Sequence, residues 1–260
     1  MGEYRNVIYE KRKDGVAIIT MNRPHRLNAM DPAGNREMAA AQNDFAQDPE
    51  MRVLVLTGVG DRAFSTGMDL KAAAERARAG QPVDPTAAEP PMPTVKHWKP
   101  IIAAINGYCI AGGLETALRC DIRLAADHAQ FGLMEVKRGL IPPVGCLYLP
   151  KVVGFGNALY LLLTGDLIDA QEALRWGIVT KVVPLKELMP TALRVAQMIA
   201  ANAPLSVQYI KQLATMRREA PLEESWMLAD TLLERIFASE DVKEGTTAFA
   251  EGRPARFKGR

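Results

Sequence analysis

The segment INGYCIAGGLETALRCDIRLA, residues 105–125, decides the fold. It ends one apolar run at 100–105 and passes through a glycine pair into small residues that predict a short helix over 113–119. A second apolar run follows at 121–126. Short apolar runs of this kind are typical of strands buried on both faces of a parallel sheet. Strands that alternate with helices indicate an α/β core.

The surrounding sequence extends this pattern. Strand-like runs flank Asp14-Gly15, a pair that readily adopts the positive φ of a tight turn, so a hairpin is predicted at the start of the chain. Aliphatic runs predict further strands, and apolar residues at helical spacing predict one long helix. The hairpin strands are predicted at 6–12 and 16–21, the further strands at 52–57 and 130–136, and the helix at 31–48.

From residue 157 onward the pattern changes to helices, which are predicted at 170–176, 185–201, 205–218 and 222–238. We therefore predict an α/β core over residues 1–200 and a helical C-terminal region over residues 201–260. Residues 79–93 are rich in proline and glycine, which predicts a loop. Its position between two core elements favours a mobile flap over a domain linker.

Composition excludes several classes of protein. Of the 260 residues, 48% are hydrophobic and 24% are charged, as in folded globular proteins and unlike disordered or collagen-like chains. The formal net charge of +2 argues against a general attraction to nucleic acid or anionic membranes. The sequence shows neither a signal-peptide core nor a run of ~20 apolar residues. We therefore expect a cytoplasmic protein that binds neither nucleic acid nor membrane.

The cysteines and histidines do not predict a metal site. Cys109, Cys120 and Cys146 lack CxxC spacing, and an odd number of cysteines cannot all form intrachain disulfides. They are interpreted as reduced, packed thiols. The three histidines show no ligand spacing with one another or with cysteine. We expect neither a metal nor a redox cofactor.

Two motifs within residues 58–67 formally match known patterns. GVGDRA, residues 58–63, fits the dinucleotide-binding pattern G-x-G-x-x-G/A, but FSTG then breaks the helix that should bind the pyrophosphate. AFSTG resembles a nucleophile elbow whose first glycine is replaced, which would make Ser65 a nucleophile. Because the strand–serine–helix context is missing, a turn is the preferred interpretation.

The glycine pair at 112–113 has two interpretations. It permits either tight helix packing or close approach of an oxyanion to the first N–H groups of a helix. Glu115, in the first turn, is either a partner of the helix dipole or a semi-buried general base. A glycine turn before Met68 predicts a second backbone oxyanion donor. Glu135, a lone acid in an apolar stretch, is either an exposed strand residue or the second member of an acid/base pair.

Five segments together resemble the crotonase (enoyl-CoA hydratase/isomerase) superfamily. They are NRPHRLNAM (22–30), AFSTGMDL (63–70), INGYCIAGGLETALRCDIRLA (105–125), AQFGLMEVKRGLIP (129–142) and TAFAEGRPARF (247–257). The resemblance implies a spiral of ββα units with a helical C-terminal region that builds homotrimers, often paired into hexamers. It also implies an acyl-CoA thioester as substrate, with coenzyme A as part of that substrate, and an enolate held by two backbone N–H groups.

The resemblance implies roles for individual residues. Met68 and Gly112 would supply the two N–H groups of the oxyanion hole. Glu115 and Glu135 would hold and deprotonate water and deliver a proton to Cα of the acyl group. The residues expected to contact coenzyme A are Arg26, Leu27, Ala29, Lys71 and, from a neighbouring subunit, Phe249.

Two positions depart from the family pattern. Pro143 stands where the family commonly has a glycine whose N–H helps to organise the water and the glutamates, and proline has no N–H. Hydration is therefore expected to be slower unless another donor compensates. Gly252 stands where some members have a phosphate-binding lysine, a role that Arg253 could take.

These observations predict a lyase of fatty acid metabolism, an enoyl-CoA hydratase that adds water to a trans-2-enoyl-CoA. The same carboxylates would also suit an enoyl-CoA isomerase or a specialised acyl-CoA dehydratase. A catalytically inactive CoA-binding scaffold is the non-enzyme alternative, and the presence of both Glu115 and Glu135 argues against it.

Overall fold

The structure is a computed structural model, and it describes residues 4–81 and 97–260. Its strands are β1 (Val7–Lys11), β2 (Val16–Met21), β3 (Val53–Gly58), β4 (Ala63–Ser65), β5 (Ile101–Ile105), β6 (Tyr108–Ile110), β7 (Ile122–Ala126), β8 (Gln130–Gly132), β9 (Ile168–Asp169) and β10 (Lys181–Val183). Its helices are α1 (Pro32–Gln47), α2 (Leu70–Arg78), α3 (Gly112–Leu118), α4 (Pro143–Val153), α5 (Phe155–Thr164), α6 (Ala170–Arg175), α7 (Leu185–Ala200), α8 (Pro204–Glu219), α9 (Leu222–Phe237) and α10 (Glu240–Glu251).

The larger sheet has the strand order β1-β2-β3-β5-β7-β10. β1 and β2 form the predicted antiparallel hairpin, whose turn contains Gly15 with a φ of 79°. The strands from β2 to β10 run parallel to one another. Every residue of β3 is buried, as its continuous aliphatic run predicts for a strand covered on both faces.

Helices cover both faces of this sheet. Because side chains alternate along a strand, Val55 packs in one buried cluster and Leu56 in another. The first cluster includes Ala192 of α7, and the second includes Phe45 of α1. The second cluster also includes Phe64 of β4 and Phe131 of β8, so the smaller sheet packs on the α1 side of the larger one.

The smaller sheet has the order β4-β6-β8-β9, and its first three strands are parallel. α3 begins directly after β6 and packs against β4 without space for a side chain at Gly113. A β-carbon placed there would lie 2.1 Å from the carbonyl oxygen of Ser65. This contact brings the turn after β4 beside the first turn of α3.

The structure corrects the predicted strand over residues 130–136. β8 ends at Gly132, Met134 adopts φ −92° and ψ 8°, and a 3₁₀ helix spans Glu135–Arg138. Glu135 therefore begins a tight helical turn and does not lie on a strand. The prediction was wrong because an apolar run does not by itself distinguish a strand from a buried turn. The short helix also begins one residue earlier than predicted, at Gly112.

The region around residues 143–183 differs more. The predicted change to helices at residue 157 comes too late, since α4 starts at Pro143 and α5 at Phe155. The strand β10, which joins the larger sheet beside β7, was missed because three residues are too few to show a periodicity. Cys109 and Cys120 are buried as predicted, whereas Cys146 is exposed on α4. The predicted flap at 79–93 lies outside the described residues from residue 82 onward.

The C-terminal helices α8, α9 and α10 confirm the predicted helical character of this region. Their packing leaves large apolar side chains exposed, among them Trp226, Met227 and Phe237 of α9. α8 contains no buried residue. None of the described helices is both long and apolar enough to cross a lipid bilayer.

Candidate active site

The structure brings the two predicted backbone donors together. A β-carbon placed on Gly112 would lie 3.8 Å from the amide nitrogen of Met68, and one placed on Gly67 would lie 2.5 Å from the amide nitrogen of Gly112. Gly67 has a φ of 78°, which favours glycine. The two amides are therefore neighbours, and only glycine fits at residue 67.

Both amide groups are available to a ligand. Met68 pairs with Met30 in a parallel bridge that uses the carbonyl of Gly67 and the amide of Asp69, so the N–H of Met68 points away from Met30. Gly112 is the first residue of α3, and its N–H has no acceptor one turn earlier in the helix. The helix dipole adds positive potential at the same place. Together the two amides form a suitable site for a carbonyl oxygen that gains negative charge.

The residue before Gly112 is strained. Ala111 has φ 53° and ψ −133°, a conformation that residues other than glycine rarely adopt and that costs about 1–3 kcal/mol. Its amide donates to the carbonyl of Gly132 at 2.9 Å, and its carbonyl accepts from the amide of Glu115 at 3.1 Å. These contacts hold the strained turn and set the direction of the Gly112 N–H.

The structure disfavours both rejected motifs. Ser65 is buried, its hydroxyl donates to the Asn28 carbonyl at 2.9 Å, and its Oγ accepts from the amide of Gly67 at 3.1 Å. It therefore fixes the turn that carries Met68 and has no base beside it in these contacts. The glycines of GVGDRA lead into strand β4 and not into a helix, and Asn106 Nδ2 donates to the carbonyls of Gly58 and Gly60.

Glu115 is a buried carboxylate with defined partners. Its side chain projects from the first turn of α3, where the residue is 2% exposed, and Oε1 accepts from the Gly145 amide at 2.9 Å. Burial raises the pKa of Glu115, while the backbone N–H groups of Gly145 and Val144 partly oppose the rise. The carboxylate can therefore hold its charge and also accept a proton, as a general base requires.

Glu135 is the second acid of the site, and the charge of Glu115 acts on it. Burial, followed by the charge of Glu115, raises the pKa of Glu135 from 4.5 to about 7. Its Oε2 atom is buried and has no hydrogen-bond partner among the described residues. Burial and then the charges of Glu115 and Glu135 raise the pKa of the Cys146 thiol. With a pKa of about 7, the carboxyl group of Glu135 is half protonated near neutral pH and can act as an acid or a base.

Pro143 has less effect on the site than its sequence position implies. It is the first residue of α4, where the missing N–H is not needed by the helix and the fixed φ favours helix initiation. The amides of the next two residues, Val144 and Gly145, contact Glu115 instead. Glu115 therefore keeps a backbone donor from the first turn of α4, although Pro143 itself has no N–H.

The residues expected to contact coenzyme A lie in two places. The Leu27 carbonyl accepts from Thr66 Oγ1 at 3.4 Å, and Arg26 Nε lies 3.8 Å from Asp69 Oδ2. Ala29 precedes Met30, whose amide donates to the Gly67 carbonyl, so these three border the Met68 turn. Lys71 is exposed in the first turn of α2, directly after the same turn. Phe249 lies on α10 and is 90% exposed.

Sequence reasoning missed the amides of Val144 and Gly145 and the buried residues behind the oxyanion turn. Arg23 and Asn28 lie in the NRPHRLNAM motif, and their sequence gives no sign of their partners. The side chain of Asn28 accepts from the Arg23 amide at 3.0 Å and donates to the Ala63 carbonyl at 2.7 Å. The contact between Asn28 and Ala63 spans 35 residues in the chain, and only the folded structure shows it.

Comparison with known proteins agrees with this geometry. Residues 11–260 match the family model described as Enoyl-CoA hydratase/isomerase. The chain belongs to this family. It is 42% identical over 253 residues to the (E)-benzylidenesuccinyl-CoA hydratase of Thauera aromatica, covering 94% of this chain and 96% of that protein. It is 39% identical to the carnitinyl-CoA dehydratase of Escherichia coli K12 over 254 residues, covering 96% of this chain and 97% of that protein.

Solved structures of the family share the fold. The enoyl-CoA hydratase of Bacillus anthracis superposes with a TM-score of 0.88 at 32% identity, covering 98% of this chain and 100% of that one. A second structure, a subunit named as an enoyl-CoA hydratase from Geobacillus kaustophilus, gives a TM-score of 0.86 at 34% identity, with both chains fully covered. The predicted crotonase-like α/β fold is therefore confirmed.

Proposed function

We propose that this chain is a lyase that adds water to a trans-2-enoyl-CoA thioester or removes water from the corresponding 3-hydroxyacyl thioester. The proposal rests on Glu115 and Glu135, two largely buried carboxylates with raised pKa values. The Met68 and Gly112 amides, which the family resemblance assigns to the oxyanion hole, lie close together in the same chain and support it. Relatives named as a hydratase and a dehydratase of CoA thioesters support the same reaction class.

The geometry suits a stepwise account of hydration. The thioester carbonyl accepts hydrogen bonds from the Met68 and Gly112 amides, which stabilise the negative charge that develops on its oxygen. Glu115, held by the Val144 and Gly145 amides, removes a proton from the attacking water. Protonated Glu135 delivers a proton to Cα, and its pKa of about 7 provides that proton near neutral pH. Dehydration follows the same path in reverse.

The unpartnered Glu135 oxygen argues against an inactive scaffold. A buried carboxylate oxygen without a hydrogen bond is costly, and a purely structural site would select a partner or an apolar residue instead. The well-held Glu115 argues for a hydratase or dehydratase over an isomerase, since family isomerases commonly keep only the second acid.

The relatives direct attention to substituted acyl groups, because one is named for a benzylidenesuccinyl thioester and the other for a carnitinyl thioester. The test is to incubate the purified protein with straight-chain trans-2-enoyl-CoA thioesters, (E)-benzylidenesuccinyl-CoA and carnitinyl-CoA, and to identify products by mass spectrometry. Gain or loss of one water is the expected result. Products of unchanged mass and a shifted double bond would favour isomerisation, and no conversion of any thioester would favour the scaffold.

We also propose that the functional unit is a homotrimer or a dimer of trimers. The exposed apolar side chains of α9, with Trp226 61% and Phe237 72% exposed, support a subunit interface there. Phe249 would then contact the adenine of a coenzyme A bound to the neighbouring subunit. Light scattering tests the assembly, and a chain that is fully active as a monomer would contradict it.

A further inference from the structure

We propose that Asp69, held by Arg23, is a positioning residue that fixes the Met68 N–H of the oxyanion hole. The inference rests on the proposed function, because it assigns a role in stabilising a thioester enolate. Neither side chain is suggested to touch the substrate. Each acts through the backbone of the turn that carries Met68.

The Met68 turn is held against the chain around Met30. The amide of Met30 donates to the Gly67 carbonyl at 2.8 Å, and the amide of Asp69 donates to the Met30 carbonyl at 3.0 Å. These two bonds enclose Met68 on both sides. Any displacement of Asp69 therefore changes the direction of the Met68 N–H.

A single buried guanidinium connects both halves of this pairing. Arg23 is 8% exposed, and its Nη2 lies 3.1 Å from Asp31 Oδ2 and 3.2 Å from Asp69 Oδ2. Its Nη1 donates to the carbonyl of Ala29. Arg23 thus links Ala29 and Asp31, which flank Met30, to Asp69, which follows Met68.

Asp69 is the more buried of the two aspartates that contact Arg23, and it lies near a second cation. The Asp69 side chain is 4% exposed, against 25% for Asp31. Arg26 provides a second cation, with Nε 3.8 Å from Asp69 Oδ2. A buried ion pair often adds little stability over an apolar pair of the same shape, so its contribution here is to geometry.

The two aspartates offer a matched pair of variants. Asp31 Oδ1 accepts from the Gly34 amide at 2.8 Å and caps α1, and Asp69 Oδ1 accepts from the Ala72 amide at 3.1 Å and caps α2. Asparagine retains a carbonyl oxygen for each cap and removes the charge that faces Arg23. Asp69→Asn and Asp31→Asn therefore make the same chemical change on opposite sides of the bridge.

Kinetics separates positioning from general damage. For Asp69→Asn we expect kcat to fall roughly 10- to 100-fold, the size of effect that a small displacement of a catalytic donor produces, while KM stays within about threefold of the wild-type value. For Asp31→Asn we expect kcat within about threefold of wild type, because the Met68 side of the bridge is left intact.

A spectroscopic readout makes the test independent of turnover. Cinnamoyl-CoA is a conjugated enoyl thioester, and its absorbance moves to longer wavelength when hydrogen bonds polarise the carbonyl. Rapid mixing with the wild type and with Asp31→Asn should show this shift, and the shift should be reduced in Asp69→Asn at saturating ligand. If Asp69→Asn does not fold, Arg23→Lys replaces it, since lysine keeps the charge but lacks the second nitrogen with which Arg23 contacts the Ala29 carbonyl as well as the two carboxylates.

The outcomes distinguish the two proposals. A full shift and unchanged kcat in Asp69→Asn, or equal losses in both aspartate variants, would overturn the positioning role alone. A wild-type protein that polarises cinnamoyl-CoA but neither hydrates nor dehydrates any thioester would overturn the proposed function, and the positioning role would stand if Asp69→Asn weakens the shift. A wild-type protein that binds cinnamoyl-CoA without any shift would overturn the positioning role, and the proposed function would still stand if that protein adds water to a thioester or removes it.

Discussion

Glu135→Gln should make the protein more stable at alkaline pH while impairing its reaction. The carboxyl group has a pKa of about 7 in the folded chain against an ordinary value of 4.5, chiefly because burial disfavours its charge. The unfolded chain therefore releases this proton at lower pH than the folded chain. Wild-type stability consequently declines as the pH rises from about 4.5 through about 7, whereas glutamine cannot ionise and is unaffected.

The magnitude follows from the same values. A tenfold change in proton affinity corresponds to about 1.4 kcal/mol, so a pKa that moves from 4.5 to about 7 represents about 3 kcal/mol. Glu135 is partly exposed, and solvent screening reduces this to about 1–2 kcal/mol. Glu135→Gln should exceed the wild type by that amount at pH 8 and by little at pH 4.5. Its turnover should fall roughly 10²- to 10⁴-fold.

Urea denaturation of both proteins at pH 4.5 and pH 8 gives the free energies of unfolding, and a turnover assay gives the loss of activity. Glu10→Gln is the control, since Glu10 is exposed on β1 and its replacement should not produce a pH-dependent gain. If the free energies of unfolding of wild type and Glu135→Gln differ by the same amount at both pH values, burial does not disfavour the charged form of Glu135.

Three further variants test the remaining parts of the site. Pro143→Gly should leave hydration unchanged within about twofold, because Val144 and Gly145 already supply amides to Glu115; a marked rise in kcat would restore the lost-donor explanation. Gly67→Ala should lose roughly 100-fold or more in kcat because its β-carbon meets the Gly112 amide, whereas Gly60→Ala, at a similar φ but in open space, should retain activity. Ser65→Ala should lower stability by about 1–3 kcal/mol but keep turnover within about tenfold; complete loss in a folded variant would revive a nucleophilic serine.

The sequence could predict the parts of this fold that depend on local pattern. The turn at Gly15 and the aliphatic run of β3 each determine their own structure, because the responsible residues are adjacent in the chain. The close approach of the Met68 turn to Gly112 was also predictable, since the glycines at 67 and 112 leave space for the two backbones to meet.

Other features depend on contacts between distant segments. Glu135 was assigned to a strand because its apolar neighbours do not reveal the 3₁₀ turn, and its pKa depends on burial that forms only in the folded chain. The amide of Gly145 reaches Glu115 across 30 residues. Arg23 contacts Asp69 across a still longer separation, and a one-dimensional pattern does not record which of several acids an arginine will meet.

In the proposed reaction, Glu115 and Glu135 add a water molecule to an enoyl thioester whose oxygen is held by the Met68 and Gly112 amides. The most direct test is conversion of a trans-2-enoyl-CoA in water that contains ¹⁸O and deuterium, with the product analysed by mass spectrometry and NMR. A 3-hydroxyacyl-CoA with ¹⁸O at Cβ and one deuteron at Cα, formed by the wild type and nearly absent with Glu115→Gln, is the predicted result. A product without ¹⁸O, or equal labelling by Glu115→Gln, would contradict this mechanism.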